Sequence, residues 1–265
     1  MMRCFVEGIG LLGPGLDGWG ASREVLAGNA AYVAAPTNLR ASDMLPAAER
    51  RRAGVPIKLA VTVGQEAFLH AGRDTRTAAS VFTSSGGDND NVHAINGILA
   101  TAPREVSPTR FHNSVHNAAA GYWCIAAATH EPSTSLCAHD ASFAAGLLES
   151  ATQVTVDDAV VVLVAYDHPY PAPLHAVRPI TAAFGMAVIL APRQTEKSLA
   201  SIEIDFTSGN TQENTMQDAG LEALRSGIPA ARGLALLGAL ACGKTKQISL
   251  AYFDNNHLKL RVTPC

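Results

Sequence analysis

The residues in this chain best suited to chemistry fall in two neighbouring groups. Phe111, His112, Asn113, His116 and Asn117 form the first, and Ser135, Cys137, His139 and Asp140 form the second. Cys137 ends a short extended run and precedes an Ala/Gly-rich helix, where a helix N-terminus would favour a thiolate and make it a candidate nucleophile. Thioester chemistry also needs positioned donors for the oxyanion, and His112, His116 and His139 are the available imidazoles. The competing reading of Cys137 is a small buried thiol that only packs.

His112 and His116 stand four apart, a spacing at which two imidazoles on one helical face hold a metal with help from His139 or Asp140. No Glu follows His112 as in the metalloprotease pattern, and no third ligand keeps a fixed spacing, so no metal is expected. Ser84-Ser85-Gly86-Gly87-Asp88 follows a strand and precedes a helix, the setting of a phosphate cradle. It lacks the Lys of a P-loop and the Gly-x-Gly-x-x-Gly spacing, so it reads as a tight strand-to-helix turn and no cofactor is expected.

The elements that must hold these residues alternate. Residues 5–12 read as a buried strand ending in a glycine turn, and 19–26 as a short helix. A loop marked by Pro36, Asn38, Ser42 and Pro46 follows. Over 57–71 apolar positions recur at three and four residues, predicting a half-buried helix. Residues 78–83 form a short strand, 92–100 a helix, 122–129 a helix, 134–137 an extended run and 143–152 a helix. Residues 159–165 are wholly apolar and Val-rich, as in a strand buried on both faces. Two further strands, 186–190 and 200–206, are placed to pair through their connection. Beyond a polar linker at 207–212 come helices at 219–224 and 234–241. Runs at 248–253 and 257–262, joined by Asp254-Asn255-Asn256, carry a hairpin signal. Such alternation predicts an α/β layered fold with a mixed, mostly parallel sheet covered by helices. Residues 1–206 are expected to form the main domain, with 207–265 a small α+β segment packed on it.

Composition narrows the function. At 265 residues the chain can bury a substantial core. Its 48% hydrophobic and 16% charged residues, with much Ala and Gly, predict close packing and a surface poor in charge, which fits a permanent partner and equally a compact Ala-rich protein without one. The formal net charge is −3 and the one dense basic run, Arg50-Arg51-Arg52, lies at an expected exposed helix start, so nucleic acid is not indicated. No run reaches about 18 apolar residues and the N-terminus enters strand-like sequence directly, so neither membrane insertion nor export is expected and the cytoplasm is the expected location. The five cysteines are dispersed without a Cys-x-x-Cys pair, as expected of reduced thiols.

Several stretches together resemble the N-terminal half of a β-ketoacyl synthase, a thiolase fold. They are Phe5-Val6-Glu7-Gly8-Ile9-Gly10 with Gly15 and Trp19, Glu49-Arg50-Arg51-Arg52 with the helix after it, and Val81 to Gly87. Val106-Ser107-Pro108 with Asn113, Asn117 and Gly121, Val160 to Ala165, and Gly185 to Leu190 complete the order. The likeness covers residues 1–206. The chain departs from the synthase pattern at the nucleophile, where Thr-Ala-Cys and small polar residues are usual. Here Ser135-Leu136-Cys137-Ala138-His139-Asp140 stands, and aligning on Gly146 puts Ala138 or His139 at that position. A synthase's catalytic histidines lie in a C-terminal half that this chain replaces with some sixty residues, and no His-Gly-Thr segment is present.

The chain is most similar to the short chain-length-factor-like proteins that accompany synthases in aryl-polyene-type, type II polyketide and fatty-acid-like systems. That resemblance implies a non-catalytic subunit that pairs with a β-ketoacyl synthase, meets acyl carrier protein through it and walls its acyl tunnel. The residues facing the tunnel or the interface would then be Phe111, His112, Asn113, His116, Asn117, Ser135, Cys137, His139 and Asp140. Two alternatives stay open: an independent acyl-transferring enzyme using Cys137 with His112, His116 or His139, and an acyl or metabolite binding module.

Overall fold

The computed structural model describes residues 1–209 and 211–265, so Asn210 of the expected linker lies outside the described residues. The first half contains β1 (Met2–Gly13), β2 (Leu16–Asp17), α1 (Trp19–Leu26), α2 (Ala47–Arg52), α3 (Val55–Ala71), β3 (Ala79–Thr83), α4 (Asn89–Leu99), α5 (Pro108–Asn113) and α6 (Ala118–Ala127). The second contains β4 (Ser133–Leu136), α7 (Ser142–Val156), β5 (Val161–Asp167), α8 (Leu174–Val177), β6 (Phe184–Ala191), β7 (Ala200–Ser208), α9 (Ala219–Gly227), α10 (Leu234–Ala241), β8 (Lys246–Ala251) and β9 (Asn256–Pro264). No helix among the described residues is long and apolar enough to cross a membrane.

Local chemistry sets several boundaries. Helix α3 begins with Pro56 in its first turn, where a missing N–H costs nothing, and ends on Gly72 in the left-handed region at φ 57°. It buries Ile57, Val61, Gly64, Ala67, Phe68 and Ala71, the face its spacing predicts, and also Leu59, Ala60 and Val63. The arginines at 50–52 occupy the last turn of α2 rather than a helix start, and the position suits their charge because carbonyl dipoles converge there.

The strands form one sheet ordered β4-β3-β5-β6-β1-β7-β9-β8, with β2 beside β1. Strands β4, β3, β5 and β1 run one way and β6 the other, so the sheet is mixed as expected. Parallel neighbours are nevertheless confined to β4/β3 and β3/β5, because β6 inserts antiparallel between β5 and β1. The expectation that residues 186–190 and 200–206 pair is wrong. Strand β1 lies between them and pairs antiparallel with both, so β6 and β7 are parallel to each other and a tight hairpin cannot join them. Their connection crosses β1 beside Glu7, at a shift in register. Glu7 accepts from Arg73 and Thr195 there. The expected C-terminal hairpin is present as β8 and β9, and β9 extends the same sheet by pairing with β7.

Strand β5 is buried throughout, and its side chains alternate between two cores. Val161, Leu163 and Ala165 meet α7 and the C-terminal helices, whereas Val162, Val164 and Tyr166 meet α3 and α6. Small residues let these layers close. A Cβ on Gly10 would collide with the carbonyl oxygen of Val63, so α3 lies directly on β1. A Cβ on Gly146 would come within 2.8 Å of Thr83 and Leu163, which fixes how closely α7 approaches β3 and β5.

Candidate functional site

The parallel strands β4, β3 and β5 end side by side, with Thr83 opposite both Leu136 and Ala165. In open α/β sheets ligands gather outside these carboxyl ends. Asp167, the last residue of β5, is buried there and its carboxylate is fully used. Oδ1 accepts from Ser84 Oγ at 3.1 Å, Ser85 N–H at 2.8 Å and Ser85 Oγ at 2.8 Å, and Oδ2 accepts from Ala230 N–H at 2.9 Å. Burial pushes its pKa up, against the lowering effect of the Ser85 donors. Tyr170 OH lies 2.9 Å from Ser85 Oγ. The Ser84–Asp88 turn is thereby clamped, and Asp88 accepts from Asn91 N–H to cap α4, as a tight strand-to-helix turn requires.

After β4 the chain makes a sharp bend into α7. His139 takes the left-handed conformation at φ 52°, a region that a non-glycine residue enters only when its surroundings hold it. Ser142 closes the bend: its Oγ donates to His139 O at 2.7 Å and accepts from Ala138 N–H at 3.1 Å. The His139 side chain is exposed, with Nδ1 3.6 Å from Asp140 Oδ1. Asp140 is held in turn by Arg178 at 2.8 Å and by Arg232 at 3.5 Å. Burial alone would raise the Asp140 pKa, but the Arg178 hydrogen bond and the two guanidinium charges hold it below the usual carboxylate range.

Cys137 is exposed, not buried. It lies two residues before the tip of the bend, and its Sγ donates to Ser85 O at 3.2 Å. His116 approaches the same turn from another side, with Nε2 3.3 Å from Ser84 O. His116, Cys137, His139 and Asp140 are therefore gathered around the strand ends. Asn113 is buried one layer out, where Nδ2 donates to Arg52 O at 2.9 Å and Oδ1 accepts from Tyr122 OH at 3.1 Å. Phe111 and His112 remain on the exposed side of α5, Phe111 at 69% exposure and His112 edge-on to Tyr122. Asn117 is exposed at the start of α6, and Ser135 is half-buried in β4. His112 and His116 share no helical face, because α5 ends at Asn113; no cluster able to hold a metal occurs among the described residues.

Sequence reasoning missed Asp167, Tyr170, Arg178 and Arg232. Asp167 had a signal, a carboxylate closing an otherwise apolar strand. His168 beside it is also buried, with Nδ1 3.7 Å from Asp90 and Nε2 without a partner among the described residues.

The two edges of the sheet differ. At the β8 edge Asn214 acts as a short strand: its N–H donates to Ser249 O at 3.1 Å and its Oδ1 accepts from Ser249 N–H at 2.7 Å. Among the described residues, strand β4 has β3 on one side and no strand on the other. Beside it lies α6, an almost wholly apolar helix that leaves Ile125 about half exposed (49%). Unpaired strand edges and exposed apolar residues are features at which chains can pair.

A family model for the beta-ketoacyl synthase N-terminal domain matches residues 21–242. The chain belongs to this family. No curated protein matches the sequence. Among solved structures, this family member is similar to a chain of the ketosynthase ApeO in complex with its chain length factor ApeC from Xenorhabdus doucetiae. The TM-score is 0.75 at 21% identity, over 98% of this chain and 100% of that one. A chain of the ishigamide ketosynthase/chain length factor gives TM-score 0.75 at 14% identity, over 100% and 99%. A chain of AntDE:AntF, a type II acyl-carrier protein in complex with its ketosynthase, gives TM-score 0.75 at 11% identity, over 100% and 99%. These likenesses establish the thiolase-like ketosynthase fold for this chain.

Proposed function

We propose that this protein is a chain-length-factor-like, non-catalytic subunit that pairs with a β-ketoacyl synthase and helps to wall its acyl tunnel. The observation that carries the reading is His139 at the tip of the strand-to-helix bend. A sharp bend of this kind presents a nucleophile in many enzymes, and the synthase pattern has a cysteine there. In this register Cys137 falls two residues short of the tip, and the bend carries an exposed imidazole 3.6 Å from Asp140. The open β4 edge and the apolar face of α6 support pairing with a synthase subunit. The solved relatives that contain a ketosynthase with its chain length factor support the choice of partner. Phe111, His112, Asn113, His116, Asn117 and Ser135 would then line the interface or the tunnel, and acyl carrier protein would be met through the synthase.

Co-expression with a β-ketoacyl synthase of the same genome and size-exclusion chromatography test the proposal. A stable heterodimer is expected, and a soluble monomer that ignores the synthase would sink it. Incubation with an acyl thioester followed by intact mass separates the alternative: an acyl adduct on Cys137 would favour an independent acyl-transferring enzyme.

A further inference from the structure

On the far side of the sheet from β4, strands β1 and β7 separate. Strand β7 pairs with β1 only over Met2–Val6, so from Ile9 onward that side of β1 lacks a long strand neighbour. Side chains of α3 replace it: Ile9 N–H donates to His70 Nδ1 at 3.1 Å and Leu11 N–H to Glu66 Oε2 at 2.9 Å. The separation leaves a recess of about 220 Å³ between α1, α10 and β9, lined by Trp19, Leu199, Leu240 and Pro264 together with the exposed Arg23 and His70. An outer recess of about 390 Å³ shares Trp19, Arg23 and His70.

The polar groups shared by the two recesses are donors. Because Nδ1 of His70 accepts the Ile9 N–H, the neutral ring carries its proton on Nε2. Burial, with the nearby Arg23 charge, lowers the His70 pKa and favours that neutral form. Arg23 is exposed and enters none of the ion pairs among the described residues. Glu66, which lines the outer recess, has both oxygens engaged by the N–H groups of Leu11 and Trp19, and burial raises its pKa. An apolar lining with a free cation and a fixed donor matches an aliphatic chain ending in an anion.

We propose that this recess binds a short aliphatic carboxylate, its chain against Trp19 and Leu240 and its head group taken by Arg23 and His70. The site shares no residue with the bend at His139 or with the β4 edge, so it stands or falls apart from synthase pairing. Calorimetry on the full chain, with any subunit that co-purifies, tests it using hexanoate and hexanol as probes. Saturable hexanoate binding is expected, with hexanol bound at least tenfold more weakly. Arg23→Gln, a change on an exposed and unpaired side chain, should weaken hexanoate about tenfold through loss of one charge-assisted contact. Absence of saturable hexanoate binding, equal binding of hexanol, or unchanged binding by Arg23→Gln would each overturn the proposal.

Discussion

The backbone N–H of Ala230 donates to Oδ2 of Asp167 at 2.9 Å, tying the C-terminal part of the chain to the end of strand β5. Arg232, two residues on, reaches Asp140 at 3.5 Å, so one short segment braces both the Ser84–Ser85 turn and the bend at His139. Replacing Asp167 by Asn puts an NH2 group where a carboxylate oxygen now accepts. At least one buried donor then loses its acceptor. Asp167→Asn should cost about 1–3 kcal/mol, read as a lower midpoint in chemical denaturation.

Acid should act on Asp140. Its folded pKa lies below the ordinary aspartate value because of Arg178 and Arg232, so its stabilising contribution is present above about pH 4 and is lost as pH falls through the lower folded value. The carboxylate is partly exposed, so the effect is screened and small. Thermal melts from pH 6 to 3 should show a steeper decline for the parent chain than for Asp140→Asn. Parallel profiles would contradict the assignment.

Strand β4 offers a test of the proposed pairing that spares the fold. The carbonyls of Pro132 and Leu136 accept from Ser80 in β3 and from Ser84 just after it, at 2.9 Å and 3.4 Å. In an extended strand the alternate residues Ser133 and Ser135 therefore turn their N–H groups to the open side. Ser135→Pro removes an outward donor without breaking a bond to β3. The melting temperature of the isolated chain should stay nearly unchanged, while recovery of the synthase complex in pull-down should fall at least several-fold.

The cysteines should label in a defined order. Cys137 is exposed, whereas Cys4 is buried in β1 and its thiol is pushed up to about 12 by burial. Thiolate is the reacting species, so iodoacetamide near neutral pH should modify Cys137 early and Cys4 only on unfolding. Peptide mass spectrometry over time checks the order.

Helix α3 was legible because the spacing of Ile57, Val61, Gly64 and Phe68 is a local signal with a terminating glycine at hand. Strand β5 was legible because residues 159–165 are an unbroken apolar, Val-rich run with no polar face. The pairing of β6 and β7 was misread because neighbouring strands in sequence need not be neighbours in the sheet. Met2–Gly13 is long enough to bond on both sides, and nothing in its own composition says what lies beside it. The segment from Pro108 to Asn113 carried no helical periodicity over its single turn and a half, so α5 emerged only with the tertiary packing.

By itself the sequence determined the α/β alternation, the apolar faces and the family resemblance, since each depends on residues within a helix turn or a strand of one another. It also brought His116, Cys137, His139 and Asp140 under suspicion. Which of them stands at the tip of the bend was decided by tertiary structure alone, because a φ of 52° at His139 is imposed by Ser142 and by the packing of α7 on β3 and β5. The guanidinium groups that hold Asp140 come from residues 178 and 232, far along the chain, and only folding brings such distant charges to one carboxylate.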